Sequence, residues 1–244
     1  MTADIPPKGR RPAPRTRIKI CGLTREADVA AAVAAGADAI GFNLYPKSPR
    51  YVEPARAAQL ARLLPPMVTP VLLFVNESAI NIEAACAMVA GATIQFHGDE
   101  PAAECAALAG RLQRPFWRAA RIPTGGTAPF DLLEFAHDFA QAQALLLDAH
   151  VQGYGGGGRT FDWSQLPANI PAHLVLAGGL TPANVSAGIA ALRGRGLSLA
   201  VDVSSGVEAD GPDGQPLKGI KDADKIDRFV AAVRAADAAH PHLP

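Results

Sequence analysis

Aromatic residues make up 6% of this chain, with two tryptophans, so no stacking platform for nucleic-acid bases is written into it. Its three cysteines are widely spaced, which excludes a disulfide framework or a zinc site and makes a reducing cytoplasm the natural compartment. Neither sign of charge is in excess: 23 Lys and Arg balance 23 Asp and Glu. Nothing global therefore draws the chain to nucleic acid or an anionic membrane. No apolar run approaches the roughly 20 residues of a membrane span. No Gly-x-Gly-x-x-Gly follows the first apolar run, no Ser stands beside a His base, and no carboxylate or His pair at helical spacing suggests a metal. The expected site uses neither cofactor nor metal.

What remains is an apolar chain of 244 residues, 49% hydrophobic. That is close to the ~250 residues of one (β/α)₈ barrel. The first sixteen residues, MTADIPPKGRRPAPRT, are rich in Pro and Arg and lack the apolar core of a secretory signal. They read as a disordered extension over residues 1–16, with nucleic-acid contact or a transit role as alternatives. The folded domain is expected over residues 17–244.

Eight short apolar runs alternate with helical patterns. They are Arg17–Cys21, Ala37–Phe42, Val71–Val75, Ala92–Phe96, Phe116–Ala120, Ala144–Asp148, His173–Ala177 and Leu199–Val203. The fifth is weak, diluted by Pro115 and Arg118. Between them, Thr24 caps a first helix that Gly36 closes, and Pro54 sits in the first turn of a second. Continuous rather than alternating apolar runs suit a parallel sheet covered on both faces. The fold class is α/β, a single TIM (β/α)₈ barrel with its active site at the C-terminal face of the strands. A doubly wound open sheet is the structural rival. Closure is favoured by the ends of the last two strands, LVLAGGL and LSLAVDVSSGVE, whose small residues leave backbone N–H groups free for a phosphate.

The strand ends collect a thiol at Cys21, a guanidinium at Arg50, an imidazole at His97 and a carboxylate at Asp148. The glycine and serine loops add Gly178, Gly179, Ser204, Ser205 and Gly206. Strands one and six are not neighbours in an eight-stranded barrel, so Cys21 and Asp148 would flank a substrate held by its phosphate. That arrangement moves a proton off one atom and onto another. Lys19 points the same way as Cys21 by the period-two rule and reads as supporting it.

Several stretches carry a resemblance: IKICGLT, GFNLYPKSPRYV, IQFHGDE, LLLDAHVQGYGGGGRTFDW, LAGGLTPANV, VDVSSGVE and GIKDADKI. In this order, from about Arg17 to Ala236, the chain resembles the N-(5′-phosphoribosyl)anthranilate isomerase family. The resemblance implies a cofactor-free Amadori rearrangement in tryptophan biosynthesis. It makes Cys21 the general base and Asp148 the general acid. Arg50 holds the anthranilate carboxylate, Gly178, Gly179, Ser204, Ser205 and Gly206 bind phosphate, Asp202 supports the second phosphate loop, and His97 lines the pocket. The sequence departs from the family at Gly157 and Arg159, in the stretch GGGGRTF that overlaps the loop Gly153–Gly158, and at Phe96.

Plainer readings exist for each residue. Cys21 is a possible buried thiol, Asp148 a turn cap, Arg50 a loop ion pair. Cys86 and Cys105 read as helix-face core residues. The rival functions are another sugar-phosphate barrel enzyme, such as indole-glycerol-phosphate synthase or ribulose-phosphate epimerase, and a non-catalytic phospholigand sensor. The expected partner is a small sugar phosphate, with no nucleic acid and no membrane; monomer and homodimer both stay open.

Overall fold

The computed structural model describes residues 15–123, 130–150 and 160–240. The expected Gly153–Gly158 loop and nearly all of the 1–16 extension lie outside the described residues. The last two residues assigned to that extension are part of the barrel: Thr16 is buried, donating its N–H and hydroxyl to Asp237, and Arg15 pairs with Asp38.

Eight parallel strands close into a barrel in chain order. They are β1 (Arg17–Cys21), β2 (Ala39–Asn43), β3 (Thr69–Phe74), β4 (Thr93–Phe96), β5 (Phe116–Pro123), β6 (Ala144–His150), β7 (His173–Leu176) and β8 (Ser198–Val203). Closure comes from β8 pairing with β1, Lys19 lying opposite Asp202. The helices are α1 (Glu26–Ala35), α2 (Pro54–Ala61), α3 (Ala79–Met88), α4 (Ala102–Leu112), α5 (Leu132–Asp138), α6 (Val185–Leu192) and α7 (Ala223–Ala239). In the β6–β7 connection the described helical piece is one 3₁₀ turn, Trp163–Gln165. Among the described residues no helix is long and apolar enough to cross a membrane.

Strand parity sorts the core. Ile18, Ile20, Ile40, Phe42, Leu72, Phe74, Ile94, Phe96, Leu145, Leu147, Leu174, Leu176, Val201 and Val203 join the large apolar cluster shared with the helices. Residues one position away face the barrel interior. There Ala119, Ala144, Leu146, Val175 and Ala177 form a separate apolar plug. Above it the same inward parity brings Lys19, Gln95, Asp148 and Asp202, all buried. Burying such groups costs free energy unless they are paired, so they mark where the fold is committed to chemistry rather than stability.

Three local expectations change. Thr24 does not cap α1: its hydroxyl donates to the Gly219 carbonyl, and Arg25 occupies the cap position without a side-chain capping bond, its guanidinium donating instead to Asp28. β5, weak in sequence, is eight residues long. Arg118 is tolerated there because, outside the barrel, its two Nη groups donate to the Phe96 and Gly98 carbonyls and to Glu100 and it lies 4.9 Å from the Phe139 ring, with Nε left without a partner among the described residues. Between β8 and α7 the chain adds a hairpin, β9 (Glu208–Asp210) with β10 (Pro216–Lys221), that puts Lys221 opposite Glu208.

Candidate active site

The side of the barrel mouth that holds Cys21, the expected base, is built on β1, β2 and β8. Lys19 is 1% exposed, and its ammonium sits 2.9 Å from Asp202 Oδ1. That contact follows directly from register, since the two residues are cross-strand partners. Burial alone would discharge Lys19, but Asp202 and Cys21 outweigh it and hold the amine above its usual range, as a cation. Cys21 lies two residues on, packed on its apolar side against Leu73 and Val75. Burial pushes its thiol up; Lys19 pulls it back down by charge and hydrogen bonding. Gly41 makes room for the pair: a Cβ there would lie 2.6 Å from Cys21 Sγ and 3.0 Å from Lys19 Nζ.

The side that holds Asp148, the expected acid, is built on β4, β6 and the loop after β7. Asp148 Oδ2 lies 3.0 Å from His97 Nε2, and His97 Nδ1 lies 2.9 Å from Gln95 Nε2. An imidazole gripped at both nitrogens is fixed in orientation, and so is the carboxylate it touches. Gly178, at φ +74°, lies under that carboxylate. A Cβ there would come 2.7 Å from Asp148 Oδ1 and 2.6 Å from the Ala149 nitrogen. Gly178 thus seats the acid as well as opening the first glycine loop.

The rim carries the groups expected to bind anions. Arg50 follows β2 in a loop pinned by Ser48, whose hydroxyl oxygen accepts from the Arg50 N–H and from Asn43. Arg50 Nε and Nη2 make a bidentate pair with Glu208 at 2.7 and 2.8 Å. Its Nη1 has no partner among the described residues. Burial opposes ionisation of Glu208, but Arg50, Lys221 and the Gly219 N–H outweigh it and hold the carboxyl below its usual range. Arg50, Glu208 and Lys221 together carry one net positive charge inside the protein, which a substrate anion would neutralise.

The two expected phosphate loops meet at Gly206. A side chain there would collide with the Leu180 carbonyl, so the close approach requires glycine. The N–H groups of Gly179, Ser205 and Gly206 have no acceptor among the described residues. Ser204 is committed inward, its hydroxyl donating to the Cys21 carbonyl at 3.0 Å.

The fold therefore brings Cys21, Asp148, Arg50, His97, Gly178, Gly179, Ser204, Ser205 and Gly206 to one end of the barrel. Asp202, expected to support the second phosphate loop, lies near the end of β8 two residues before Ser204, and its carboxylate accepts from Lys19, its register partner on β1. Sequence reasoning assigned no role to Glu208, Lys221 or Gly41. Glu208 closes the quoted motif VDVSSGVE and Lys221 lies within GIKDADKI, and that was their only signal. Cys86 and Cys105 are buried outside the site.

The family model for N-(5′-phosphoribosyl)anthranilate (PRA) isomerase matches residues 18–232. The N-(5′-phosphoribosyl)anthranilate isomerase of Methylibium petroleiphilum is 58% identical over 224 residues, covering 92% of this chain and 96% of its own. The crystal structure of the phosphoribosyl anthranilate isomerase from Thermotoga maritima superposes with a TM-score of 0.76 at 38% identity, covering 90% of this chain and 99% of that one. A phosphoribosyl anthranilate isomerase in complex with reduced 1-(o-carboxyphenylamino)-1-deoxyribulose 5-phosphate superposes with a TM-score of 0.70 at 35% identity, over 90% and 99% of the two chains.

Proposed function

The chain belongs to the N-(5′-phosphoribosyl)anthranilate isomerase family, and we propose that it runs the family's reaction with Cys21 as general base and Asp148 as general acid. It is an isomerase of tryptophan biosynthesis. It converts N-(5-phosphoribosyl)anthranilate to 1-(2-carboxyphenylamino)-1-deoxyribulose 5-phosphate by an Amadori rearrangement.

In this reading Asp148 gives its proton to the furanose ring oxygen as the C1–O bond breaks and the anilino nitrogen forms C1=N. Cys21, as thiolate, then takes the C2 proton. The resulting enol becomes the ketone as C1 takes up a proton and the enol O–H gives one up, and exchange with water carries the proton held by Cys21 back to Asp148. Nothing is gained or lost overall, so proton carriers suffice. The observation that carries the assignment is the pairing of each reactive group with its own partner: Lys19 beside Cys21, and His97 at 3.0 Å from Asp148. Lys19 stabilises the thiolate; His97 holds the carboxyl in place.

Arg50 offers its free Nη1 edge to the anthranilate carboxylate while Glu208 fixes the other edge. Gly179, Ser205 and Gly206 receive the phosphate through their N–H groups. Ser204 ties that turn to the Cys21 backbone, and Asp202 keeps Lys19 charged. Three unpaired cysteines suit a cytoplasmic location.

Substrate deuterated at C2 tests the base. In Cys21→Ser the weaker base should make C2–H cleavage rate-limiting, so deuterium slows turnover more than it does in the unmodified protein. No isotope effect in a slowed Cys21→Ser variant would overturn the assignment.

A further inference from the structure

We propose that Lys221 is a positioning residue that aims the Ser205 N–H at the substrate phosphate by holding the Ser204 carbonyl from the other side of the peptide. The inference deepens the phosphate reading of residues 204–206 and rests on it.

The hairpin after β8 exists in a form that delivers this side chain. Lys221 ends β10 opposite Glu208, and both side chains are fully buried. Lys221 Nζ donates to the Ser204 carbonyl at 2.9 Å, with the Ser204 hydroxyl at 3.4 Å and Glu208 Oε1 at 3.5 Å. The described chain has no cis peptide, so the Ser204 carbonyl and the Ser205 N–H point in opposite directions. Fixing one aims the other. The Ser205 and Gly206 N–H groups have no acceptor among the described residues.

Lys221 is not placed to bind the anion itself. Its amine is turned to a carbonyl and a carboxylate, and burial lowers its pKa to about 8 despite Glu208. Its backbone is equally fixed, the N–H donating to Asp28 Oδ2 at 3.1 Å. Ser204 is held from its opposite side by the Cys21 carbonyl. The turn is thus clamped between the strand carrying the base and a lysine that never touches substrate.

The test measures KM and kcat for phosphoribosylanthranilate and the competitive inhibition constant of inorganic phosphate. The variants are Lys221→Met, Lys221→Arg and Ser205→Asp, with thermal midpoints alongside. Lys221→Met should raise KM and the phosphate constant together by about 10-fold or more, with kcat falling by less than that, as for binding lost in ground and transition state alike. Lys221→Arg, which keeps a donor, should restore most of that loss. Ser205→Asp should abolish phosphate inhibition. If Lys221→Met leaves the phosphate constant unchanged while Ser205→Asp abolishes inhibition, the positioning role is wrong and the phosphate reading stands. If Ser205→Asp leaves inhibition intact, the phosphate reading fails and takes the proposal with it. A fall in kcat and thermal midpoint without a change in the phosphate constant would also overturn the role. Should Lys221→Met not fold, Lys221→Gln replaces it under the same criteria.

Discussion

Lys19 and Asp202 face each other across the seam that closes the barrel, and their side chains meet 2.9 Å apart in its interior. This ion pair does not anchor two surface loops. It delivers a fixed cation to the thiol two residues away. A buried pair is poor evidence for stability, so its placement is better explained by what it does to Cys21.

Removing that cation has a definite sign. Burial already raises the Cys21 pKa, and Lys19 is the largest opposing influence, with Lys221 a smaller one and Asp202 working with burial. In Lys19→Met the pKa rises further, so less thiolate is present at neutral pH. The rising limb of kcat/KM against pH should move to higher pH, with activity at pH 7 falling by about 10² or more. A limb that stays in place would separate Lys19 from the base.

Two glycines adjoin the reacting groups, and replacing them should give different signatures. In Gly41→Ala the new methyl meets the ends of two side chains, Cys21 Sγ and Lys19 Nζ. Turnover should drop sharply while the thermal midpoint moves little. In Gly178→Ala the methyl meets the Ala149 backbone as well as Asp148, at a φ of +74° that strains alanine. Both turnover and stability should fall, the latter by about 1–3 kcal/mol. Steady-state rates beside urea unfolding distinguish the two.

The buried amine of Lys221 should be visible in alkaline stability. Its folded pKa of about 8 lies below the ordinary 10.5. Between those values the unfolded chain holds a proton that the folded one has released, so this group makes stability increase as pH rises through that window. Unfolding free energies of the unmodified protein minus those of Lys221→Met should therefore climb from pH 8 to about pH 10. A flat difference would mean that the folded amine titrates normally.

Much of this was legible before the fold was known. Eight apolar runs and their small-residue endings implied the barrel, and period two placed Lys19 beside Cys21. Motif order gave the site its members. The illegible parts depend on long-range contact. Arg50 and Glu208 are 158 positions apart, so no local pattern joins them. The β9–β10 hairpin is short, polar and built around glycines, and it carries no strand-like run. β5 was underestimated because Arg118 looks wrong for a strand until the carbonyls and rings that receive it are known. Motif order put Asp202 beside the second phosphate loop but did not show its bond to Lys19, because the two are 183 positions apart and meet only through register.

The most direct measurement is the steady-state rate of phosphoribosylanthranilate conversion by the unmodified chain beside Cys21→Ala and Asp148→Asn, each confirmed folded by circular dichroism. Both variants should lose about 10²–10⁴ in kcat, with KM close to that of the unmodified chain, because the anion-binding rim is untouched. Substantial turnover in either folded variant would contradict the acid–base pair, and survival in Cys21→Ala would move the base to Lys19.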